Sequence, residues 1–208
     1  MGRNSNFSKS PHAVTCKRRK QFCMKNYVEI DIGLDFNALV DYFKEVKENY
    51  QHRMWTLNDN VFDADKHKAS DVYGWGIQSN LIDIDQPCPP YNISKDKLDY
   101  YRDTELVLGY IKELKNKFKT STQWSIAGHP PGTKISKHTD SSEYLKIHIP
   151  IQTNTRSFFI FDDEKVVFVP GKVYLVNTSM PHGTENLGDT DRIHLFFKVL
   201  ASDYERFY

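Results

Sequence analysis

A histidine and an aspartate two positions apart, His138-Thr139-Asp140, stand out in this sequence for their chemistry. On a β-strand the side chains at positions i and i+2 point to the same face, so this imidazole and this carboxylate can bind one ion. A third ligand is predicted at His182, 42 residues beyond Asp140. Two histidines and one carboxylate leave three positions of an octahedral metal open, which is the donor set of non-haem Fe(II) oxygenases.

An arginine follows the three candidate metal ligands at a short distance along the sequence. Arg192 stands ten residues after His182 and heads the strand-like stretch 192–198. A guanidinium is suited to bidentate binding of a carboxylate inside a cavity. A lone His-x-Asp pair is weak evidence and is also compatible with a surface pair in a turn, but the ordered set of four residues is specific. It predicts a metal site with a carboxylate-binding site beside it.

The chain from residue 121 onward has short apolar stretches separated by turn residues such as Pro131-Gly132 and Pro170-Gly171. About eight short strands at this spacing are typical of a β-sandwich or barrel, and a jelly roll is one closed form. The predicted strands are residues 122–128, 133–138, 144–152, 156–162, 165–169, 173–177, 182–187 and 191–199. The candidate ligands therefore belong to one β-rich unit.

Alternating side chains in two of these strands indicate a polar cavity. In the last strand, Arg192 and His194 share one face and apolar residues occupy the other. In the third strand, Lys146 and His148 share a face opposite three isoleucines. A barrel strand backed by helices can have a polar face toward the lumen and an apolar face outward. We expect these four side chains to line one cavity.

The residues before this unit predict a mixed α and β lead-in. Strands are expected at 27–32 and 72–82, and amphipathic helices at 35–51 and 101–119, where apolar residues recur at helical spacing. The first helix has Asp35 as its predicted cap. We expect the helices to cover one sheet of the barrel.

Length and composition are those of an ordinary globular protein. The chain has 208 residues, of which 39% are hydrophobic and 26% charged, enough for one compact domain with its own core. We see no domain boundary within residues 26–208. The predicted organisation is a lead-in at 26–120 and a jelly-roll core with the metal site at 121–200.

The first 25 residues hold seven Lys or Arg and no acidic residue, and we expect a basic flexible tail at 1–25. No apolar segment follows the basic residues, so a secretory signal is not expected. The net charge of +1 gives no overall attraction to nucleic acid, although the basic tail leaves such contact open. No stretch approaches 18 apolar residues, so no membrane span is expected. Three cysteines, an odd number, favour a reducing, cytoplasmic setting.

Residues 123–199 resemble the aspartyl/asparaginyl β-hydroxylase-like family of Fe(II)/2-oxoglutarate-dependent oxygenases. The resemblance rests on Ser125-Ile126, Pro131-Gly132-Thr133, His138-Thr-Asp140, Lys146-Ile-His-Ile-Pro150, Gly171, His182, Asn186 and Arg192-Ile-His-Leu195. It implies a mainly β fold with flanking helices, namely a double-stranded β-helix, the jelly-roll or cupin-like barrel.

The resemblance also implies roles for individual residues. His138, Asp140 and His182 correspond to the ligands of Fe(II). Arg192 corresponds to the partner of the distal carboxylate of 2-oxoglutarate, with Ser125 as a weaker second contact and His148 near its metal-proximal end. The implied activity is hydroxylation of an unactivated C–H bond with O2, releasing succinate and CO2.

Two departures from the family bear on the substrate. Vertebrate members of the endoplasmic reticulum have Gly where this chain has Asp140, so the complete set resembles the bacterial branch, which includes free proline hydroxylases. Those vertebrate members also carry a substrate-binding Arg where this chain has Lys146. We expect Lys146 to face a substrate that bears a carboxylate, either a free amino acid or an Asp/Asn-type residue in a peptide.

Two other functions remain open at this point. One is a non-redox cupin-like metal isomerase or hydrolase, although such sites usually show His-x-His followed by Glu. The other is a catalytically silent binding barrel, although none of the required ligands is missing. Two further histidines are expected to be bystanders, His129 in a loop and His194 as a structural residue near the site. The sequence does not indicate an oligomeric state.

Overall fold

The computed structural model describes residues 25–49, 53–54, 72–78, 109–162 and 164–207. Residues 1–24 of the predicted basic tail and residues 101–108 of the second predicted helix lie outside the described part. The division into tail, lead-in and core stays a prediction. Within the described part no helix is long and apolar enough to cross a membrane.

The strands follow the predicted order closely. They are β1 Tyr27–Ile30, β2 Arg53–Met54, β3 Tyr73–Gln78, β4 Thr122–His129, β5 Lys134–His138, β6 Tyr144–Gln152, β7 Ser157–Phe161, β8 Glu164–Val166, β9 Val173–Val176, β10 His182–Asn186 and β11 Arg192–Leu200. A 3-10 helix at Ala201–Phe207, which the sequence did not predict, follows the last strand.

The described strands form two antiparallel sheets. The larger sheet has seven strands in the order β1-β9-β6-β11-β4-β3-β2, and the smaller has four in the order β5-β10-β7-β8. Sequence neighbours such as β4 and β5 lie in different sheets, so the chain passes back and forth between them. This is a double-stranded β-helix, and the predicted fold class is confirmed.

Two helices cover the outer face of the larger sheet. They are α1 at Phe36–Asn49 and α2 at Gly109–Lys117. Asp35 caps α1, because its Oδ1 accepts a hydrogen bond of 3.0 Å from the amide of Ala38. The Asp35 amide in turn donates to the hydroxyl of Tyr110 in α2 at 2.7 Å.

The main core lies between these helices and the apolar faces of β6 and β11. Leu39 and Val46 of α1 pack in the same cluster as Ile147 of β6 and Leu195 of β11, and all four are fully buried. The apolar outer faces of the two strands therefore meet the helices, as their alternation predicts. Their polar faces are left to line the interior of the barrel.

A smaller aromatic core fills the space between the two sheets. Phe159 and Phe161 of β7 pack with Phe168 and with Tyr174 of β9. The rings of Phe168 and Tyr174 are stacked with their centroids 4.0 Å apart. This cluster joins the sheets, and the polar cavity described below adjoins it at Phe159.

Candidate metal centre

Three predicted ligands converge beside β5 and β10 of the smaller sheet. His138 ends β5 and lies directly opposite His182, the first residue of β10, in the antiparallel pairing. Asp140 follows β5, and its amide donates a 2.8 Å hydrogen bond to the carbonyl of Thr178. The imidazole and carboxylate donor atoms of these three residues lie within 4.8 Å of one another. One divalent ion can therefore contact all three.

Both histidines are held with one nitrogen toward that point. His138 Nδ1 lies 2.9 Å from the carbonyl oxygen of Ser136, and His182 Nδ1 lies 3.0 Å from that of Met180. A carbonyl oxygen only accepts, so each Nδ1 carries a proton, and in the neutral form of each ring Nε2 is the nitrogen with the lone pair. The Nε2 atoms lie 3.9 and 3.7 Å from oxygens of Asp140. This tautomer is the one that metal-binding imidazoles need.

The carboxylate of Asp140 lies in a buried, positively charged environment. Its side chain is only 6% exposed, and Lys146 Nζ lies 2.6 Å from Oδ2. Oδ1 is buried and has no hydrogen-bond partner among the described residues. Burial raises the pKa of Asp140, but the charge of Lys146 outweighs it and lowers the pKa to about 2. The group is a carboxylate at neutral pH and has one oxygen available to a cation.

His182 is neutral at the same pH. Burial and the nearby His138 and Lys146 lower its pKa to about 4. Asp140 and His182 are thus in the protonation states that bind a divalent metal. These residues fit an iron centre of the 2-His-1-carboxylate type.

The glycine after His182 allows β10 to approach β5 closely. A Cβ at Gly183 would lie 2.7 Å from the carbonyl oxygen of Ile135, closer than real Cβ atoms come to backbone. We expect Gly183→Ala to push the strands apart and shift His138 against His182, weakening Mn(II) binding about tenfold or more. Calorimetric titration of the metal-free protein with Mn(II) measures this.

Gly109→Ala is the matched control for that variant. Gly109 has φ +47°, and nothing lies within 4 Å of an added Cβ. It is the first residue of α2 and is distant in sequence from β5 and β10. This control should lose about 1–2 kcal/mol of stability to backbone strain and keep the Mn(II) affinity. Equal Mn(II) affinity of Gly183→Ala and wild type would contradict the strand-spacing argument.

A cavity in the barrel joins His138 and His182 to Arg192. Both Arg192 and His194 lie on β11 with their side chains inward, as Lys146 and His148 do on β6. All four predicted residues thus line one cavity. Its lining residues are Val72, Ala127, His129, Ile135, His138, Lys146, His148, Phe159, His182, Thr184, Arg192, His194 and Phe196.

Arg192 is a buried cation without an acidic partner in the described part of the chain. It is 4% exposed, and its guanidinium lies 5.4 Å from the ring centre of Phe159. Its Nη2 lies 3.1 Å from His194 Nδ1. Burial lowers the pKa of Arg192 to about 9, so the group remains charged at neutral pH. A buried charge of this kind is costly unless an anion joins it.

Of the two weaker predicted cofactor contacts, His148 lines the cavity and Ser125 does not. His148 is buried against Phe159 and Phe196, and both of its ring nitrogens are without hydrogen-bond partners among the described residues. Ser125 is also buried, on β4 opposite Phe196. It is not among the residues that line the cavity. The ligand-binding roles of both residues stay predictions.

His129 is not a loop residue. It is the last residue of β4, lies opposite Arg192 in the β4–β11 pairing, and is 5% exposed. The strand is one residue longer than predicted, because Gly128-His129 still pairs with β11 before Pro130 interrupts it. With Ala127 it lines the cavity, as period-2 alternation would have indicated had the strand been extended. Thr184, two residues after His182, is a second lining residue that the same rule identifies.

Three more buried histidines, His129, His148 and His194, should join His182 in making the fold sensitive to acid. Burial, followed by the charge of Arg192, lowers each pKa well below 6.5. They stay neutral in the folded protein and take up protons only on unfolding. The free energy of unfolding should therefore fall as the pH drops below 6.5, by up to about 1.4 kcal/mol per pH unit for each histidine.

Urea unfolding of the metal-free protein between pH 8 and pH 5 measures this dependence. His148→Phe removes one of the three groups and should reduce the slope by about one proton. A slope that is the same in this variant and in the wild type would contradict a neutral His148.

Comparison with known proteins supports the family resemblance and the fold. Residues 103–202 match the family described as Aspartyl/Asparaginyl beta-hydroxylase, which confirms the resemblance noted in the sequence. The matched segment contains all three candidate metal ligands and Arg192. No curated protein matches the chain.

Two solved structures share the fold over most of the chain. One is an oxidoreductase of the 2OG-Fe(II) oxygenase family from Burkholderia pseudomallei, with a TM-score of 0.53 and 14% identity, covering 83% of this chain and 84% of that one. The other is SnoN, a non-heme alpha ketoglutarate dependent epimerase from nogalamycin biosynthesis, with a TM-score of 0.50 and 9% identity, covering 83% and 76%. At these identities the likeness establishes the double-stranded β-helix alone.

Proposed function

We propose that this protein is an Fe(II)- and 2-oxoglutarate-dependent hydroxylase, because its residues 103–202 match the aspartyl/asparaginyl β-hydroxylase family. In this proposal His138, Asp140 and His182 hold the iron and Arg192 binds the distal carboxylate of 2-oxoglutarate. The substrate is an amino acid or an Asp/Asn-type residue in a peptide. O2 is the second cosubstrate, and the products besides the hydroxylated substrate are succinate and CO2.

The observation that carries the proposal is Arg192. A guanidinium that is 4% exposed, and that has no acidic partner in the described ranges, lines the same cavity as His138 and His182, two of the three candidate metal donors. A bidentate carboxylate would supply the charge that the site lacks. 2-Oxoglutarate is a dicarboxylate with a keto group next to one carboxylate, so it can bind a metal at one end and Arg192 at the other.

The protein's own share of the reaction is ligation, orientation and exclusion of water. When bound, iron and 2-oxoglutarate supply the oxidation, in which one oxygen atom of O2 enters succinate and the other enters the substrate as hydroxyl. The backbone carbonyls of Ser136 and Met180 keep the Nε2 lone pairs of His138 and His182 directed at the metal. The rings of Phe159 and Phe196 keep the cavity wall apolar.

Lys146 supports a substrate that bears a carboxylate. Its ammonium lies 2.6 Å from Oδ2 of Asp140. A metal bound by Asp140 would draw negative charge away from Lys146, and Lys146 and the metal would then both attract an anion at the cavity. This role in substrate binding continues the prediction made from the sequence.

Succinate formation tests the function directly. The purified protein is supplied with Fe(II), 2-oxoglutarate and O2, and free L-amino acids and short acidic peptides are screened for stimulation of succinate release. Mass spectrometry then identifies a product heavier by one oxygen atom. We expect one member of the screen to stimulate turnover.

Two results would count against the proposal. Failure of the metal-loaded protein to bind 2-oxoglutarate would overturn it, and retention of zinc through purification would then favour a non-redox cupin-like hydrolase or isomerase. Binding of 2-oxoglutarate with no stimulation by any amino acid or peptide would overturn the substrate class alone. The silent-barrel alternative predicts neither stimulated nor basal succinate release.

A further inference from the structure

The side chain that orients Arg192 is His194, two residues further along β11. Both side chains face the cavity, and the Nη2 of Arg192 lies 3.1 Å from the Nδ1 of His194. Arg192 is 4% exposed and His194 only 1% exposed. This is the only hydrogen bond to the guanidinium recorded within the described part of the chain, so His194 is its principal polar contact there.

The chemistry of the pair determines the tautomer of His194. A guanidinium donates and never accepts, so Nδ1 of His194 must be the acceptor. The ring is neutral, since burial and the adjacent charge of Arg192 lower its pKa well below its usual range. A neutral imidazole that accepts at Nδ1 carries its proton at Nε2.

That Nε2–H group has no acceptor among the described residues, although it is buried. Aromatic rings surround it, with the Phe168 ring stacked at a centroid distance of 6.3 Å and the His148 ring at 5.8 Å. A buried donor without an acceptor is unfavourable, because it has lost its hydrogen bonds to water and gained none in the protein. Because His194 lines the cavity, a ligand there is the natural source of that acceptor.

We propose that His194 has two linked roles in the anion site: it orients the guanidinium of Arg192 through Nδ1, and it donates a hydrogen bond from Nε2–H to the cosubstrate. The inference rests on the proposed function, because the anion in question is 2-oxoglutarate. It makes the carboxylate site a pair of donors on one strand. Arg192 provides the charge, and His194 adds a neutral donor whose direction depends on Arg192.

Nitrogen chemical shifts test the tautomer without any activity measurement. In protein with 15N-labelled histidine and Zn(II) in place of iron, His194 should show a protonated Nε2 and an unprotonated, hydrogen-bonded Nδ1 between pH 6 and pH 8. Addition of 2-oxoglutarate should move the Nε2–H proton resonance downfield. A ring protonated at Nδ1, or an Nε2–H resonance that does not move while 2-oxoglutarate binds, would overturn the inference.

Three substitutions separate the two roles. In His194→Asn the amide oxygen can replace Nδ1 as the acceptor for Arg192. In His194→Gln the amide nitrogen reaches the position of Nε2 and can replace it as the donor. His194→Phe keeps the ring stack and loses both the acceptor and the donor. We expect the Kd for 2-oxoglutarate of the Zn(II) protein to rise about 100-fold in His194→Phe and about tenfold in the two amide variants. Wild-type affinity in His194→Phe would overturn the proposal, and if that variant does not fold, wild-type affinity in both amide variants would do so.

The outcome also distinguishes this inference from the proposed function. If wild-type protein does not bind 2-oxoglutarate, the proposed function fails and the donor role of His194 fails with it. If wild-type protein binds 2-oxoglutarate with an unmoved His194 signal, only the inference about His194 fails.

Discussion

Asp140→Ala is expected to abolish metal binding and with it the release of succinate from 2-oxoglutarate. The carboxylate is the only negative charge among the three candidate ligands, and it is buried with a pKa of about 2. A structural zinc site with four protein ligands binds its ion with about 10–16 kcal/mol. Loss of one ligand should therefore lower the Mn(II) affinity by about 1000-fold or more. Calorimetric titration with Mn(II) and a succinate assay with Fe(II) measure the two effects.

The same variant should also be less stable in the absence of metal. Lys146 is nearly buried, and it would lose the carboxylate that lies 2.6 Å away. Breaking a buried ion pair by removing one partner costs about 3–5 kcal/mol. Asp140→Asn, which keeps the shape of the side chain, should fold better than Asp140→Ala and bind metal just as poorly. Its metal affinity is therefore the measurement to use if Asp140→Ala unfolds.

Asp41→Ala is the control for both variants. Asp41 is exposed on α1 and pairs with Lys44 at the surface, and a surface pair contributes about 0–1 kcal/mol. Its metal binding and turnover should equal those of the wild type. Turnover at the wild-type rate in Asp140→Ala would refute the assignment of Asp140 as a ligand.

Arg192→Met is expected to weaken 2-oxoglutarate binding strongly and to leave the ligand-free protein at least as stable as the wild type. Removing one partner of a buried charge pair costs about 2–5 kcal/mol in binding, which corresponds to a rise in Kd of about 30- to 5000-fold. The ligand-free protein behaves differently, because Arg192 is buried there without an acidic partner in the described ranges. Methionine removes that unfavourable charge while retaining apolar contact with Phe159.

Two measurements are needed for this prediction. Calorimetry with the Zn(II)-loaded protein gives the Kd for 2-oxoglutarate, and urea unfolding without ligands gives the stability. Arg156→Met, at an exposed turn, is the matched control and should change neither quantity. An unchanged Kd in Arg192→Met, or a large loss of stability in the ligand-free protein, would show that Arg192 has a structural role instead.

Much of the fold was predictable because its determinants are local. Period-2 alternation placed the apolar faces of β6 and β11 correctly against the helices, and turn residues such as Pro131-Gly132 marked the ends of strands. The capping of α1 by Asp35 follows from a side chain and a backbone amide three residues apart. The 3-10 helix after β11 was missed because it carries no strong periodicity and only seven residues.

The errors and omissions at the site arise from contacts between strands that are distant in the sequence. His129 was placed in a loop because Pro130 follows it, yet pairing with β11 extends β4 by one residue. His129 is buried because β11 lies beside it, and the local sequence does not indicate that neighbour. The contact between Lys146 and Asp140 joins β6 of the larger sheet to the end of β5 in the smaller one, and no spacing along the chain indicates that two such strands face each other.

The sequence by itself determined which donors this protein has and which strand face Lys146, His148, Arg192 and His194 occupy. Donor chemistry belongs to the residue, and alternation belongs to the local backbone. Only the tertiary structure decided that His138, Asp140 and His182 meet within 4.8 Å, and that Arg192 is buried in one cavity with the two histidines. It also decided protonation, since the neutral His182 and the charged Asp140 depend on burial and on Lys146. Distances across sheets and loss of solvent arise from packing between distant segments, so they exist only once the barrel has closed.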